Sequence, residues 1–299
     1  MSECILCKAT DHVQVTEENG VQLARCPHCN LLFVLHQPSL DELKALYEKD
    51  LEDVYVSRAI RFQQKRTVVS AIDLRLIKRY VAKGRLLEIG CAAGYFLQLA
   101  ARRGYTPLGI EFNSRLVEYA IKTLGLHVLE GTVRRSNLPP GIFDAAYMRD
   151  VLSHLDDPKK DLRAIRSLLR DDGYLFLETG NFADLTDKQI RRLQRLHKLQ
   201  IPDHLFFFSR KSFYKLASLT GFEVVETRMY STIAYDWVSH VLEDRVRSKL
   251  LELSPRHPPQ RSLIENLVTT SWYFLRYQLG RALPKTGFPC TVKYVCRAV

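Results

Sequence analysis

The chain has no apolar run approaching the ~20 residues that a membrane span needs. Its first residues include Glu3 and Cys4 and hold no apolar signal core, so a cytoplasmic protein is expected. Acidic residues are in deficit: 33 Asp and Glu stand against 44 Lys and Arg, a net charge of +11. That excess favours anionic partners (nucleic acid, an acidic membrane surface, phosphorylated substrates) without choosing among them. There are only seven cysteines, and in a reducing compartment they argue for metal rather than disulfides. What is present in quantity is apolar residues, 46% of 299, enough for one sizeable domain with appendages.

The organising stretch is Arg85-Leu86-Leu87-Glu88-Ile89-Gly90-Cys91-Ala92-Ala93-Gly94-Tyr95-Phe96. A short apolar run, an acid, two glycines and an amphipathic run predict a buried parallel strand, a tight turn and a helix. About 20 residues on, Leu108-Gly109-Ile110-Glu111 predicts a second strand that ends in a carboxylate placed to grip two ribose hydroxyls. A pyrophosphate-binding turn would need G-x-G-x-x-G, but Ala92 stands at its second glycine and Tyr95 at its third. The pattern therefore suits a nucleoside without a diphosphate.

At the N-terminus, Cys4-x2-Cys7 and Cys26-x2-Cys29 have the spacing of a closed four-thiolate zinc site. So small a segment needs the metal for its stability. His28, inside the second knuckle, reads as an exposed bystander.

Residues 39–80 read as helical, opened by a Ser39–Glu42 capping box, with Tyr47 and Tyr55 reaching either a cleft or the surface. Further strands are predicted at 127–132, 143–148, 173–178, 222–230 and 289–299, with helices at 117–124 and 159–169 between them. This alternation implies a mainly parallel α/β sheet. About 60 residues separate the last two strands, and two helical patterns, Trp237–Leu253 and Leu263–Leu283, fill that insert. The second mixes aromatic and basic residues, which fits an anionic membrane surface or, more ordinarily, a cap or dimer surface. Cys91, Cys290 and Cys296 lack knuckle spacing; Cys91 reads as packing in the turn and the other two as flanking a strand.

The E-x-G-x-x-x-G spacing from Glu88 to Gly94 resembles motif I of the class I S-adenosylmethionine (SAM) methyltransferases, which usually have glycine where Ala92 stands. Val151-Leu152-Ser153-His154-Leu155 resembles that fold's V-L-x-H-L segment. Asp203-His204-Leu205-Phe206-Phe207-Phe208-Ser209 with Gly221-Phe222 resembles an H-x-x-x-F-S…G-F pattern. The whole is similar to a branch holding zinc-ribbon sugar C-methyltransferases and ubiquinone O-methyltransferases. The resemblance implies a Rossmann-like sheet, mostly parallel with its last strand antiparallel. It implies a ribbon at 1–38, a connector or cap at 39–80, the SAM-binding core at 81–230, a helical insert at 231–288 and a final strand at 289–299. It places SAM against Glu88, Gly90, Cys91, Ala92, Gly94, Tyr95, Phe96, Glu111, Phe112, Gly131, Thr132, Asp150 and Val151. It also makes His204 the base with Asp203 as its acid, His154 being a second histidine at the fourth strand's end.

The expected function is methyl transfer to a small-molecule acceptor: a sugar nucleotide, a polyol or phenol, or a lipid-linked intermediate. The competing readings are an RNA methyltransferase or RNA-binding module, with the basic cluster Arg191, Arg192, Arg195 and Lys198 on phosphates, and an inactive scaffold. Arg149-Asp150-Val151-Leu152 lacks the N/D-P-P-Y/F signature common in base methylation, and the retained Glu88, Gly90, Gly94 and Glu111 weigh against the scaffold. Oligomeric state and the oxygen-versus-carbon choice are not legible.

Overall fold

A computed structural model describes residues 3–18, 20–38, 42, 63–195, 199–231, 271, 274–275, 278–282 and 290–299. Ser39, Tyr47, Tyr55, His197, Lys198, Trp237 and most of the 231–288 insert lie outside the described residues.

In chain order the elements are β1 (Val13–Glu18), β2 (Val21–Arg25), β3 (Leu32–Val34), α1 (Gln63–Lys78), β4 (Gly84–Ile89), α2 (Tyr95–Arg102), β5 (Tyr105–Glu111), α3 (Ser114–Lys122) and β6 (Val128–Glu130). There follow β7 (Phe143–Arg149), α4 (Pro158–Leu168), β8 (Leu169–Gly180), α5 (Asp187–Arg195), β9 (Phe206–Phe207), α6 (Arg210–Leu219), β10 (Phe222–Ser231) and β11 (Cys290–Ala298).

Seven strands form the main sheet in the order β10-β11-β8-β7-β4-β5-β6. The pairs β4–β5, β4–β7, β5–β6 and β7–β8 are parallel, and β11 runs antiparallel to both β8 and β10. The apolar residues of β4, Leu86, Leu87 and Ile89, are all buried within the parallel sheet, and Glu88 is buried among them. Its neighbours β5 and β7 lead away in opposite directions, which opens a crevice at the carboxyl end of β4. Local signals set the helix starts: Asn113 caps Leu116 N–H, Asp157 caps Lys160 N–H ahead of Pro158, and Ser209 and Ser212 cap each other.

The second sheet is small, in the order β1-β2-β3-β9. Its fourth strand comes from the H-x-x-x-F-S segment of the core: Phe206 pairs with Phe33 and Phe207 with Leu32. Leu6, Leu31 and Phe33 of the N-terminal segment share one buried cluster with Phe206, Phe208 and Leu152 of the core.

Gly109 shows how tightly the motif turn is packed. A methyl group there would sit 2.6 Å from Leu97 Cδ1 and 2.7 Å from Cys91 Sγ, both in buried residues. Gly109→Ala should therefore cost about 1–3 kcal/mol by overpacking, read as a lower denaturation midpoint at unchanged slope. An unchanged midpoint would show that the turn relaxes freely.

Candidate active site

The turn after β4 is held by backbone bonds. Gly90 N–H donates to Ile110 O at 2.8 Å and Gly94 N–H to Cys91 O at 2.9 Å. Gly90 has φ +69°, and a Cβ on it would lie 2.4 Å from Val151 Cγ2, so both conformation and space require glycine. Ala92 is also left-handed, at φ +48°. That conformation is unfavourable for an L-residue, and what holds it is Glu111, whose Oε2 accepts Ala92 N–H at 2.8 Å. Glu111 Oε1 accepts the amides of Phe112 and Asn113, both at 2.9 Å. The carboxylate thus clamps the end of β5 to the motif turn, a duty that the sequence does not display.

A cleft opens here, at the motif turn and the carboxyl ends of β4 and β7. Its lining includes Glu88, Gly90, Cys91, Ala92, Tyr95 and Phe96, which the sequence singles out, and Ser70, Tyr147 and Arg149, which it does not. The other expected cofactor residues are not part of this lining; apart from Gly94 in the turn, they stand at or just after strand ends. Gly131 follows β6 and donates its N–H to Glu111 O at 2.8 Å, and Thr132 comes next. Asp150, left-handed at φ +54°, and Val151 follow β7. Phe112 follows β5 and is exposed.

Behind the cleft lies a buried polar row. Arg149 Nε donates to Glu178 Oε1 at 3.0 Å, and Glu178 Oε2 takes Tyr230 Oη–H at 2.6 Å and Lys293 Nζ at 3.0 Å. Lys293 also meets Asp73, which accepts Tyr147 Oη–H at 2.6 Å. Register builds this row: Arg149 lies opposite Glu178 and Glu178 opposite Lys293. No local spacing announces a cluster drawn from 73, 147, 178 and 293.

His154, Asp203 and His204 come together, with one ligand atom of each within 4.8 Å of the others. His154 Nδ1 lies 2.9 Å from Asp203 O and 3.2 Å from Asp203 Oδ1. His204 Nδ1 instead meets Leu199 O at 2.8 Å, and the two rings sit 4.5 Å apart. The Asp203 carboxylate therefore serves His154 rather than the adjacent His204 that the sequence pattern gives it. Burial pulls the His154 imidazolium down, but the Asp203 carboxylate and carbonyl outweigh it, so its pKa stands above the ordinary value. Burial and the neighbouring His154 charge lower that of His204. The same donor atoms could take a cation, but both Nδ1 positions are already committed to hydrogen bonds.

Far from this pair along the chain, the four N-terminal cysteines converge. Cys4 and Cys29 sulfurs are 3.4 Å apart, as are Cys7 and Cys26, and all four lie within 4.8 Å. Sulfurs about 3.8 Å apart are what a tetrahedral zinc with 2.3 Å bonds requires. Each pair sits on a knuckle closed by Lys8 N–H to Cys4 O and Asn30 N–H to Cys26 O, both 2.9 Å. The hydrogen bond between Cys4 and Cys29 pulls the Cys4 thiol down to about 5 and pushes the Cys29 thiol up, as in a pair that shares one proton. The set fits Zn2+. His28 turns away to Asp11 and is exposed.

Cys91 is buried in the turn as expected, while Cys296 is buried within β11 rather than flanking it. Of the basic cluster, Arg191 reaches Val15 O at 3.3 Å, while Arg192 lies on the solvated face of α5. No helix among the described residues is long and apolar enough to cross a membrane.

Comparison with known proteins places this geometry. A family described as "Methyltransferase domain" matches residues 60–227. The ubiquinone biosynthesis O-methyltransferase of Xanthomonas campestris is 35% identical over 107 residues, 32% of this chain and 43% of that one. The corresponding protein of Chromobacterium violaceum is 30% identical over 125 residues, 38% and 52% of the two chains. The match thus spans about half of these relatives' length. A SAM-dependent methyltransferase from Archaeoglobus fulgidus shares the fold, with a TM-score of 0.51 at 18% identity over 78% of this chain and 94% of that one.

Proposed function

We propose that this chain, which belongs to the methyltransferase domain family, is a SAM-dependent methyltransferase that methylates a small-molecule acceptor whose proton is removed by His154. The observation that carries this reading is the His154–Asp203 pair just beyond the carboxyl end of β7. Ligands of open α/β sheets lie outside such ends. Methyl transfer is an in-line displacement, and a base is needed when a hydroxyl or an activated carbon must lose a proton. Asp203 holds Nδ1, fixing the tautomer and leaving Nε2 as the basic atom. His204, with its lowered pKa, stays neutral beside it and limits the positive charge that the pair accumulates.

SAM, when bound, supplies an electrophilic methyl group. Glu88 and the Gly90–Phe96 turn would hold its amino-acid end and Glu111 its ribose. Glu111→Ala should weaken SAM binding by roughly 1.5–3 kcal/mol, the worth of a hydrogen bond to a charged group. Calorimetric titration of wild type and variant measures this, and unchanged affinity would remove Glu111 from the cofactor site. The four thiols of Cys4, Cys7, Cys26 and Cys29 are read as holding a structural Zn2+, since a closed set has no open position for catalysis.

The test is methyl-labelled SAM incubated with the protein and a cell extract, followed by fractionation. Label in small polar or lipid pools supports a small acceptor. Nuclease-sensitive label overturns it and makes the basic surface the substrate platform.

A further inference from the structure

Arg149 ends β7 and lines the cleft, with its side chain 20% exposed. One edge of its guanidinium is tied down. Nε donates to Glu178 at 3.0 Å, and Asp150 Oδ2 lies 3.6 Å from the same atom. Glu178 is itself fixed through its other oxygen by Tyr230 and Lys293, so it holds the guanidinium plane from behind. Among the described residues, no hydrogen bond or ion pair reaches either Nη of Arg149. Two parallel N–H donors on a rigid, permanently charged fork match a carboxylate or phosphate.

Glu88 lies opposite Tyr147 in the β4–β7 register, and Arg149 is two residues beyond Tyr147, on the same face. The cleft therefore presents an acid and a base side by side, in keeping with a ligand that carries both charges. We infer that Arg149 is an anion-binding residue of the cleft, taking two oxygens of a carboxylate or phosphate through its Nη groups, with Glu178 positioning it. This rests on the SAM reading of the cleft. The anion is either the α-carboxylate of the cofactor or an acidic group of the acceptor.

Calorimetry on the whole protein separates these sources. Wild type and Arg149→Gln are titrated with SAM and with decarboxylated SAM, which keeps the ammonium but lacks the carboxylate. Each protein, saturated with S-adenosylhomocysteine, is then titrated with inorganic pyrophosphate. If the cofactor is the source, wild type prefers SAM by roughly 10- to 100-fold, as expected for a charged hydrogen-bonded pair, and the variant loses that preference. If the acceptor is the source, both keep the same preference, and pyrophosphate binds the wild-type complex but not the variant. A variant that matches wild type in both titrations overturns the inference while leaving the SAM reading intact. Failure of wild type to bind SAM at all overturns the cofactor reading instead. Should Arg149→Gln not fold, phenylglyoxal labelling of wild type gives the answer: SAM or pyrophosphate protects Arg149 if the inference is right, and neither does if it is wrong.

Discussion

His154→Ala is expected to lower turnover about 10²- to 10⁴-fold, the usual worth of a positioned general base, with SAM affinity unchanged. The base works only when neutral, so wild-type rate should climb with pH through the His154 pKa. Asp203 stabilises the imidazolium, which puts that limb above the ordinary histidine value of about 6.5. Asp203→Asn removes the charge that favours the protonated form. The limb should then move to lower pH while the plateau rate falls, because the tautomer is no longer fixed. A merely structural pair would lose rate without moving the limb. His204→Asn should leave the limb near its wild-type position, since the Nδ1 of His204 serves Leu199 O rather than the carboxylate. A pH–rate profile of the three variants decides the matter. If His204→Asn abolishes the limb and His154→Ala does not, the assignment of the base is reversed.

The assignment shows where sequence reasoning stops. Asp203 and His204 are adjacent in the chain, and adjacency suggests a working pair. In the fold the two side chains diverge, and Asp203 meets a histidine 49 positions away, brought to it by the short helix Leu152–His154. The elements that were legible are those whose signal is local. The apolar run at Leu86-Leu87, the glycines at 90 and 94, the acid at 111 and the cysteine spacing are each determined within a few residues, and each lies where its local pattern puts it. Arg149, Glu178, Lys293 and Asp73 were not legible, because their meeting depends on strand order and register. β9 was missed for the same reason: two phenylalanines in an apolar run become a strand only because β3 offers them an edge.

That shared edge gives the second large effect: stripping the proposed Zn2+ from Cys4, Cys7, Cys26 and Cys29 should disable methyl transfer without abolishing SAM binding. Metal binding of this kind is worth about 10–16 kcal/mol in small zinc modules, more than such a segment gains from its own core. Without it β3 should be lost, and β3 is joined to the acceptor side through its ladder with β9 and through Leu205. Val34 N–H donates to Leu205 O at 3.0 Å, and Leu205 N–H donates to Ser153 O at 2.8 Å, next to His154. Leu205 also follows His204 directly, so its backbone ties the ribbon to both histidines. The backbone of the cofactor turn is tied within the core: its amides go to Ile110, Cys91 and Glu111. A chelated protein, or Cys26→Ser, should therefore show fast amide exchange at Val34 and Leu205, SAM affinity close to wild type, and turnover reduced at least tenfold, about 1.4 kcal/mol of transition-state stabilisation. Returning Zn2+ to the chelated protein should reverse all three changes. If turnover persists while those amides exchange freely, the ribbon is an appendage and the His154–Asp203 pair is held from the core alone. If SAM binding collapses together with turnover, the metal supports the whole fold rather than the acceptor side.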